Sequence, residues 1–242
     1  MAELSLDVPS LCPIGQLPRV VSARKPLGVT PRALFARRAF LLGVGATGSL
    51  AISRAAHAQP AALPGVPLAF AVAPTADDDD SPVRDTGWID AQVAEMESLF
   101  GPLGVHPIAV SIRPLPSRFI HLETRADRDA LTSQVRPKVV NVFVVGSLRD
   151  VDDPSRMRRG VHWRNLTHPA IRYVIVAAEA MPTVLAHEMG HYFGNGHSQV
   201  TDNLMSYDRT GGSVFLDPRQ GRIIEAAARE AFRTGELAPS EH

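Results

Sequence analysis

Residues His187-Glu188-Met189-Gly190-His191-Tyr192-Phe193-Gly194-Asn195-Gly196-His197 form the pattern H-E-x-x-H-x-x-G-x-x-H. On a helix, His187 and His191 lie on one face, so both imidazoles can reach a single metal ion. Gly194 has no Cβ and permits a sharp turn that brings His197 back to the same ion. Three neutral imidazoles leave the fourth tetrahedral position of Zn²⁺ to water, which is typical of catalytic zinc sites. The stretch therefore predicts a catalytic zinc centre.

The residue after the first ligand is a carboxylate, Glu188. On a helix it projects about 100° round from His187, so it can flank the metal without binding it. Zinc lowers the pKa of bound water towards ~7, and a carboxylate beside that water can accept its proton during attack on a carbonyl. The pattern therefore predicts hydrolytic chemistry with Glu188 as general base.

The eleven residues resemble the zinc signature of the metzincin metalloproteases. The match covers all five fixed positions of that signature: His187, Glu188, His191, Gly194 and His197. The resemblance implies a methionine turn beneath the metal. The run Asn203-Leu204-Met205-Ser206-Tyr207 follows the third histidine and places Met205 in that role. We therefore expect Gly194 and Met205 to support the site.

Features of several metzincin families are mixed in this chain. Ser198 and the spacing from His197 to Met205 resemble matrixins, whereas a tyrosine two residues after the methionine resembles astacins and serralysins. The second resemblance implies that the Tyr207 hydroxyl lies close to the zinc and donates a hydrogen bond to the oxyanion during catalysis. The alternative is that Tyr207 only packs within the turn.

Hydrophobic periodicity and turn residues predict one α/β (α+β) domain, and the order of its elements resembles that of a metzincin catalytic domain. We expect a mostly parallel, twisted sheet with an antiparallel edge strand, a zinc-binding helix, the methionine turn and a C-terminal helix. The predicted strands are residues 66–72, 105–112, 119–122, 139–145, 160–164 and 171–177. The predicted helices are residues 86–100, 126–134, 182–193 and 218–235.

The N-terminal region resembles a twin-arginine export signal. Arg37 and Arg38 precede a mild apolar run, residues 43–52, and the small-residue site Ala56-His57-Ala58 follows. The run is too short for a permanent membrane anchor. We expect residues 1–58 to be a removable leader and signal, residues 59–242 to form a single zinc metalloprotease domain, and the twin-arginine export machinery to deliver it to the periplasm or the exterior.

Net charge and cysteine content limit the classes of partner that the sequence predicts. Of 25 basic and 25 acidic residues, residues 1–58 contain seven basic and two acidic ones, so residues 59–242 have a net charge of −5. Outside the run Arg156-Met157-Arg158-Arg159, interpreted as a solvated loop, no basic cluster dominates a segment, and we expect no nucleic-acid binding. The one cysteine, Cys12, lies in the leader. Nothing indicates an oligomeric state.

The predicted function is that of an exported endopeptidase with a Zn²⁺ cofactor and a polypeptide substrate. One alternative is a zinc-binding module without catalytic activity. The presence of Glu188 argues against it, because a structural zinc site needs no general base. Another rival is a zinc amidase acting on cell-wall peptides. No sequence feature separates that amidase from an endopeptidase.

Overall fold

The computed structural model describes residues 62–78, 80–165 and 167–239, so the predicted export signal and its cleavage site lie outside the described residues. Within these ranges there are seven strands: β1 Val66–Val72, β2 Pro107–Pro114, β3 His121–Leu122, β4 Val140–Val145, β5 Ser147–Leu148, β6 Gly160–Arg164 and β7 Arg172–Ala177. The four α-helices are α1 Thr86–Phe100, α2 Arg125–Ala130, α3 Thr183–Tyr192 and α4 Pro218–Arg233.

Five strands form one sheet in the order β2-β1-β4-β7-β6. The pairs β1–β2, β1–β4 and β4–β7 are parallel, and β6 alone runs antiparallel to its neighbour β7. The predicted mostly parallel sheet with an antiparallel edge strand at residues 160–164 is confirmed. Because β6 ends the sheet, one side of its backbone has no strand partner among the described residues. Pro107 begins the opposite edge strand, where a missing N–H is tolerated.

The strands β1 and β4 are buried along their whole length because both faces of the sheet are covered. Side chains alternate between the two faces, so Leu68 and Phe70 enter a core shared with α1, α3 and α4. Ala71 and Phe143 enter the core on the other face. The α3 helix is thereby held against a rigid sheet.

The first turn of α3 is tied to α1 by Gln92, whose side chain is 1% exposed. Pro182, at the N-cap of α3, provides no side-chain acceptor. The Gln92 Oε1 atom instead accepts a hydrogen bond from the Leu185 N–H, and its Nε2 atom donates to the carbonyls of Ala180 and Met181. A helix start is stabilised when its free N–H groups find such acceptors.

Two elements differ from their predicted form. The predicted helix over residues 126–134 is a six-residue helix, α2, followed by a 3₁₀ turn from Leu131 to Gln134, and it begins at a capping box between Thr124 and Asp127. The predicted strand 119–122 is reduced to β3, which pairs with β5 in a separate two-stranded sheet. Over the described ranges, no helix has the length and apolarity needed to cross a membrane.

Candidate metal centre

The three predicted ligands His187, His191 and His197 come together at the C-terminal half of α3. Their nearest ring nitrogens all lie within 4.8 Å of one another. The His191 Nε2 atom is 3.2 Å from His187 Nε2 and 3.1 Å from His197 Nε2. His187 is buried, whereas His197 is exposed on the cleft side. The arrangement provides three nitrogen donors with one side open.

Backbone carbonyls orient two of the imidazoles. The Nδ1 atom of His187 lies 2.6 Å from the Leu204 carbonyl oxygen, and that of His191 lies 2.8 Å from the Asn195 carbonyl oxygen. A carbonyl only accepts, so each Nδ1 is the protonated nitrogen and each Nε2 keeps its lone pair. Lone pairs that face one another across about 3 Å repel unless a cation lies between them. The donor set therefore fits a metal ion such as Zn²⁺.

The electrostatics of the site keep these imidazoles neutral, as metal binding requires. Burial lowers the pKa of His187 to about 4, although its hydrogen bond to Leu204 acts in the opposite direction. Burial also lowers the pKa values of His191 and His197. The neutral form of all three imidazoles is thus favoured at neutral pH.

Gly194 makes the turn that returns His197 to the site. Its φ is +100°, in the region that side chains with a Cβ rarely adopt. The turn is closed by a hydrogen bond from the Asn195 N–H to the Gly190 carbonyl. The chain thus turns at Gly194 immediately after α3 and before His197.

The methionine turn lies directly beneath α3. Met205 is fully buried, and a Cβ added at Gly190 would lie 2.4 Å from its Sδ atom. The turn also contacts the ligands through its backbone. Its Leu204 carbonyl holds His187, and its Met205 carbonyl accepts from the N–H of Ser198, next to His197. The turn therefore fixes the first and third histidines together.

A pair of buried amides ties this turn to α4. Asn203 and Gln220 exchange two side-chain hydrogen bonds of 2.8 and 3.0 Å. Gln220 Oε1 also accepts from the N–H of Asp217, which completes the capping box of α4. The Asn195 side chain donates to the Gln220 carbonyl. Both loops that orient histidines thus rest on the first turn of α4.

Glu188 lies between α3 and the edge strand β6. Its side chain is buried, and its Oε2 atom accepts a 2.7 Å hydrogen bond from the backbone N–H of His162. Burial raises the pKa of Glu188 to about 7, and the His162 N–H and Arg158 only partly offset that effect. A carboxyl group with such a pKa exchanges a proton readily near neutral pH.

Tyr207 covers the open side of the histidine cluster. Its ring centroid is 4.6 Å from that of His197 and 5.6 Å from that of His187, and the residue is 68% exposed. Burial of the phenol raises its pKa, while the neighbouring Arg158 lowers it. The hydroxyl therefore lies in the solvent-facing cleft beside a guanidinium.

Arg158 belongs to the run that the sequence analysis interpreted as a solvated loop. Its Nε atom donates a 2.6 Å hydrogen bond to Asp150, whose side chain is buried. The other Asp150 oxygen accepts from the backbone N–H groups of Asp152 and Asp153. These bonds hold the pKa of Asp150 below its usual value. A fixed positive charge thus lies close to Glu188, His197 and Tyr207.

Two clefts meet at the metal centre. One, of about 630 Å³, lies between α2 and β6; we call it the α2 cleft. The other, of about 470 Å³, lies between the loop before β6, the start of α3 and the methionine turn; we call it the Met-turn cleft. Both are lined by Arg158, Gly160, Glu188 and Tyr207. The two clefts therefore flank Glu188 and Tyr207 from different sides.

Comparison with known proteins gives a fold match only. No protein-family model matches the chain, and no curated protein matches its sequence. Similar solved structures include metalloproteinase-II from Bacteroides fragilis, with a TM-score of 0.50 and 12% identity over 70% of this chain. They also include mirolysin in complex with compound 9, with a TM-score of 0.53 and 9% identity over 75% of this chain.

The fold is that of metalloproteinases. The chain spans 55% of the Bacteroides structure and the whole of the mirolysin structure. At these identities the likeness concerns the fold and says nothing of substrate or metal. The three histidines of this chain could hold a metal ion in that fold.

Several residues of the site were not predicted from the sequence. Asn195 and Gln220 orient loops, Gly160 makes room for Glu188, and Arg158 with Asp150 lines the cleft. The Asp217-Pro218-x-Gln220 cap was a detectable signal for a helix start, but not for a contact with the methionine turn. The others act through contacts that only the folded chain brings about.

Proposed function

We propose that this chain is a zinc endopeptidase of the metzincin type, with His187, His191 and His197 as ligands and Glu188 as general base. The observation that supports this most directly is the convergence of three Nε2 atoms, two from α3 and one from His197 beyond its end, beside the buried carboxyl group of Glu188. A bound zinc ion supplies Lewis-acid activation of water and of the substrate carbonyl.

Glu188 moves the proton in this mechanism. Its Oε2 atom is held by the His162 N–H, whereas Oε1 has no hydrogen-bond partner among the described residues. Oε1 takes the proton from the attacking water and afterwards gives it to the leaving amine. A pKa of about 7 suits both transfers, because neither protonation state is strongly favoured at neutral pH.

Two further groups assist the reaction. The Tyr207 hydroxyl donates a hydrogen bond to the oxyanion of the tetrahedral intermediate, a position in which one donor contributes substantially to turnover. The free edge of β6 pairs with the extended substrate backbone, whose N–H and C=O groups find partners there. Gly194 and Met205 support the histidines without taking part in the chemistry.

The test is a comparison of wild-type protein with Glu188→Gln, which keeps the side-chain shape but removes the base. We expect close to one zinc per chain in both proteins and roughly 10²-fold or greater loss of peptide cleavage in the variant. Chelation of the metal should abolish wild-type activity, and His191→Ala should lower metal content.

The rivals give different results in the same experiment. Zinc binding without cleavage of a mixed peptide library would favour a non-catalytic binding module. Cleavage confined to cell-wall peptides would favour the amidase. Equal activity of wild type and Glu188→Gln would exclude Glu188 as the base.

We propose in addition that the protein is exported through the twin-arginine machinery and acts in the periplasm or outside the cell. The support is the order Arg37-Arg38, apolar run and Ala56-His57-Ala58. Changing both arginines to lysine should retain an uncleaved precursor in the cytoplasm, whereas the exported wild type should begin at Gln59. Continued export of the variant would contradict this route.

A further inference from the structure

The Met-turn cleft has a lining rich in arginine. It contains Arg156, Arg158, Arg159 and Arg209, whereas its carboxylates are Glu179 and Glu188. Glu188 is already bonded to the His162 N–H. This excess of positive charge contrasts with the net charge of −5 that residues 59–242 bear as a whole.

Most of that positive charge has no carboxylate partner. Arg158 is paired with Asp150, but Arg209 donates to the backbone carbonyls of Asn203 and Leu204, which are neutral. Arg209 helps to lower the pKa of Asp202, but Asp202 lies outside the lining of the cleft and is hydrogen-bonded to Thr210. Within the described ranges, Arg156 and Arg159 form no ion pair and no side-chain hydrogen bond.

The Met-turn cleft also has apolar side chains in its lining. Met157 and Met181 are 45% and 52% exposed, and Val184 belongs to the same lining. A short aliphatic stem that ends in a carboxylate would contact these side chains and reach the arginines. Because His187, Glu188 and Tyr207 belong to the same lining, a group held there is attached next to the reacting bond.

The arginines of the α2 cleft are more fully paired with carboxylates. Its Arg125 is paired with Asp152, and its Arg158 is the one paired with Asp150. The buried Arg128 lies over the ring of Trp163, 4.8 Å from its centroid. The lining also contains Arg164, which forms no ion pair among the described residues. Two of the four arginines on that side are thus paired with aspartates, against one of four in the Met-turn cleft.

We infer that the Met-turn cleft binds a substrate carboxylate beside the scissile bond, and that the carboxylate is the side chain of a glutamate or aspartate. The inference rests on the proposed function, since it names the substrate residue that the same site selects. A peptide's C-terminal carboxylate has the same chemistry, and the experiment separates the two sources.

The experiment uses zinc-loaded protein and peptides of one glutamine-containing frame with blocked ends, in which a single glutamate replaces glutamine at each position in turn. We expect cleavage next to the glutamate, with kcat/KM roughly 10- to 100-fold above that of the all-glutamine peptide, as for a charge-assisted hydrogen bond. In Arg156→Gln/Arg159→Gln this ratio should fall towards one. Arg222→Gln, at an exposed position of α4 outside the cleft, should keep the ratio.

Binding of the same peptides to Glu188→Gln separates this inference from the proposed function. Tighter binding of glutamate peptides, lost in the double arginine variant, supports the carboxylate cleft even if no peptide is hydrolysed. Equal binding and equal cleavage of glutamate and glutamine peptides would overturn it while leaving the peptidase intact. Selection only of peptides with a free C-terminus beside the cleaved bond would overturn the side-chain assignment.

Discussion

The Oε2 atom of Glu188 on α3 lies 2.7 Å from the backbone nitrogen of His162 on β6. This bond joins the proposed general base to the strand that we expect to bind substrate. The approach of helix and strand depends on Gly160, because a Cβ there would lie 2.6 Å from Val184 Cγ1 and 2.9 Å from Glu188 Cγ. The position of the base is therefore set by the edge strand as well as by its own helix.

Gly160→Ala should displace Glu188 and lower both turnover and stability. Overpacking of this kind costs about 1–3 kcal/mol of unfolding free energy. The measurements are kcat on a cleaved peptide and denaturant unfolding. Gly87→Ala in α1 is the matched control, since its Cβ would meet its nearest atom at an ordinary 3.6 Å. Unchanged kcat and stability in Gly160→Ala would contradict the packing argument.

Tyr207→Phe should reduce kcat by about 10²- to 10³-fold with little change in KM, because only the oxyanion donor is removed. The ring remains beside His197, so zinc content and melting temperature should not change. The test is to compare the steady-state kinetics of wild type and variant, with zinc content and melting temperature measured as controls. An unaltered kcat at full zinc content would leave Tyr207 with a packing role alone.

Gly190 and Met205 should show strong energetic coupling. Met205→Ala removes a fully buried side chain and should cost about 2–5 kcal/mol of unfolding free energy. Gly190→Ala should destabilise the wild type, because its Cβ would lie 2.4 Å from Met205 Sδ, but much less so after Met205 is truncated. Unfolding of the two single variants and the double variant gives the coupling, expected at roughly 0.5–3 kcal/mol. Additive effects would mean that the close contact is relieved elsewhere.

Asp150→Asn should destabilise the loop before β6 at neutral pH. The folded-state pKa of Asp150 is lowered by the N–H groups of Asp152 and Asp153 and by Arg158, so the carboxylate stabilises the fold above its ordinary pKa of 3.8. This stabilisation is lost as the pH falls through the lower folded value. The difference in unfolding free energy between variant and wild type should therefore stay nearly constant at neutral pH and narrow only as the pH falls below 3.8. A difference independent of pH would show that the charge is not its source.

The sequence was most informative where a short span fixes the geometry. The spacing of His187 and His191 places two imidazoles on one face of any helix, and runs such as residues 139–145 predict buried strands without knowledge of their neighbours. The expectation of a metzincin-like fold depended on residues 187–197 together with Met205. The short strand β5 was not predicted, and the strand predicted over residues 119–122 was longer than β3, because two residues show no period.

The contacts that the sequence did not predict join residues distant along the chain. Gln92 reaches the start of α3 from 93 positions away, and Asn203 meets Gln220 across 17. In the sequence, single polar residues of this kind cannot be told from ordinary surface residues, because only the fold buries them. Likewise, the run at residues 156–159 reads as solvated because nothing local shows that Asp150 fixes Arg158 beside the reaction centre.

The buried amide pair Asn203–Gln220 makes docking of α4 and metal occupancy linked equilibria. The carbonyl next to Asn203, that of Leu204, orients His187, while the Gln220 carbonyl holds Asn195, whose own carbonyl orients His191. A ligand that binds only the assembled site stabilises every element on which that site depends. Zinc should therefore protect the backbone amides of α4 from hydrogen exchange, although that helix contributes no ligand, and loosening of α4 should weaken zinc binding by the same free energy.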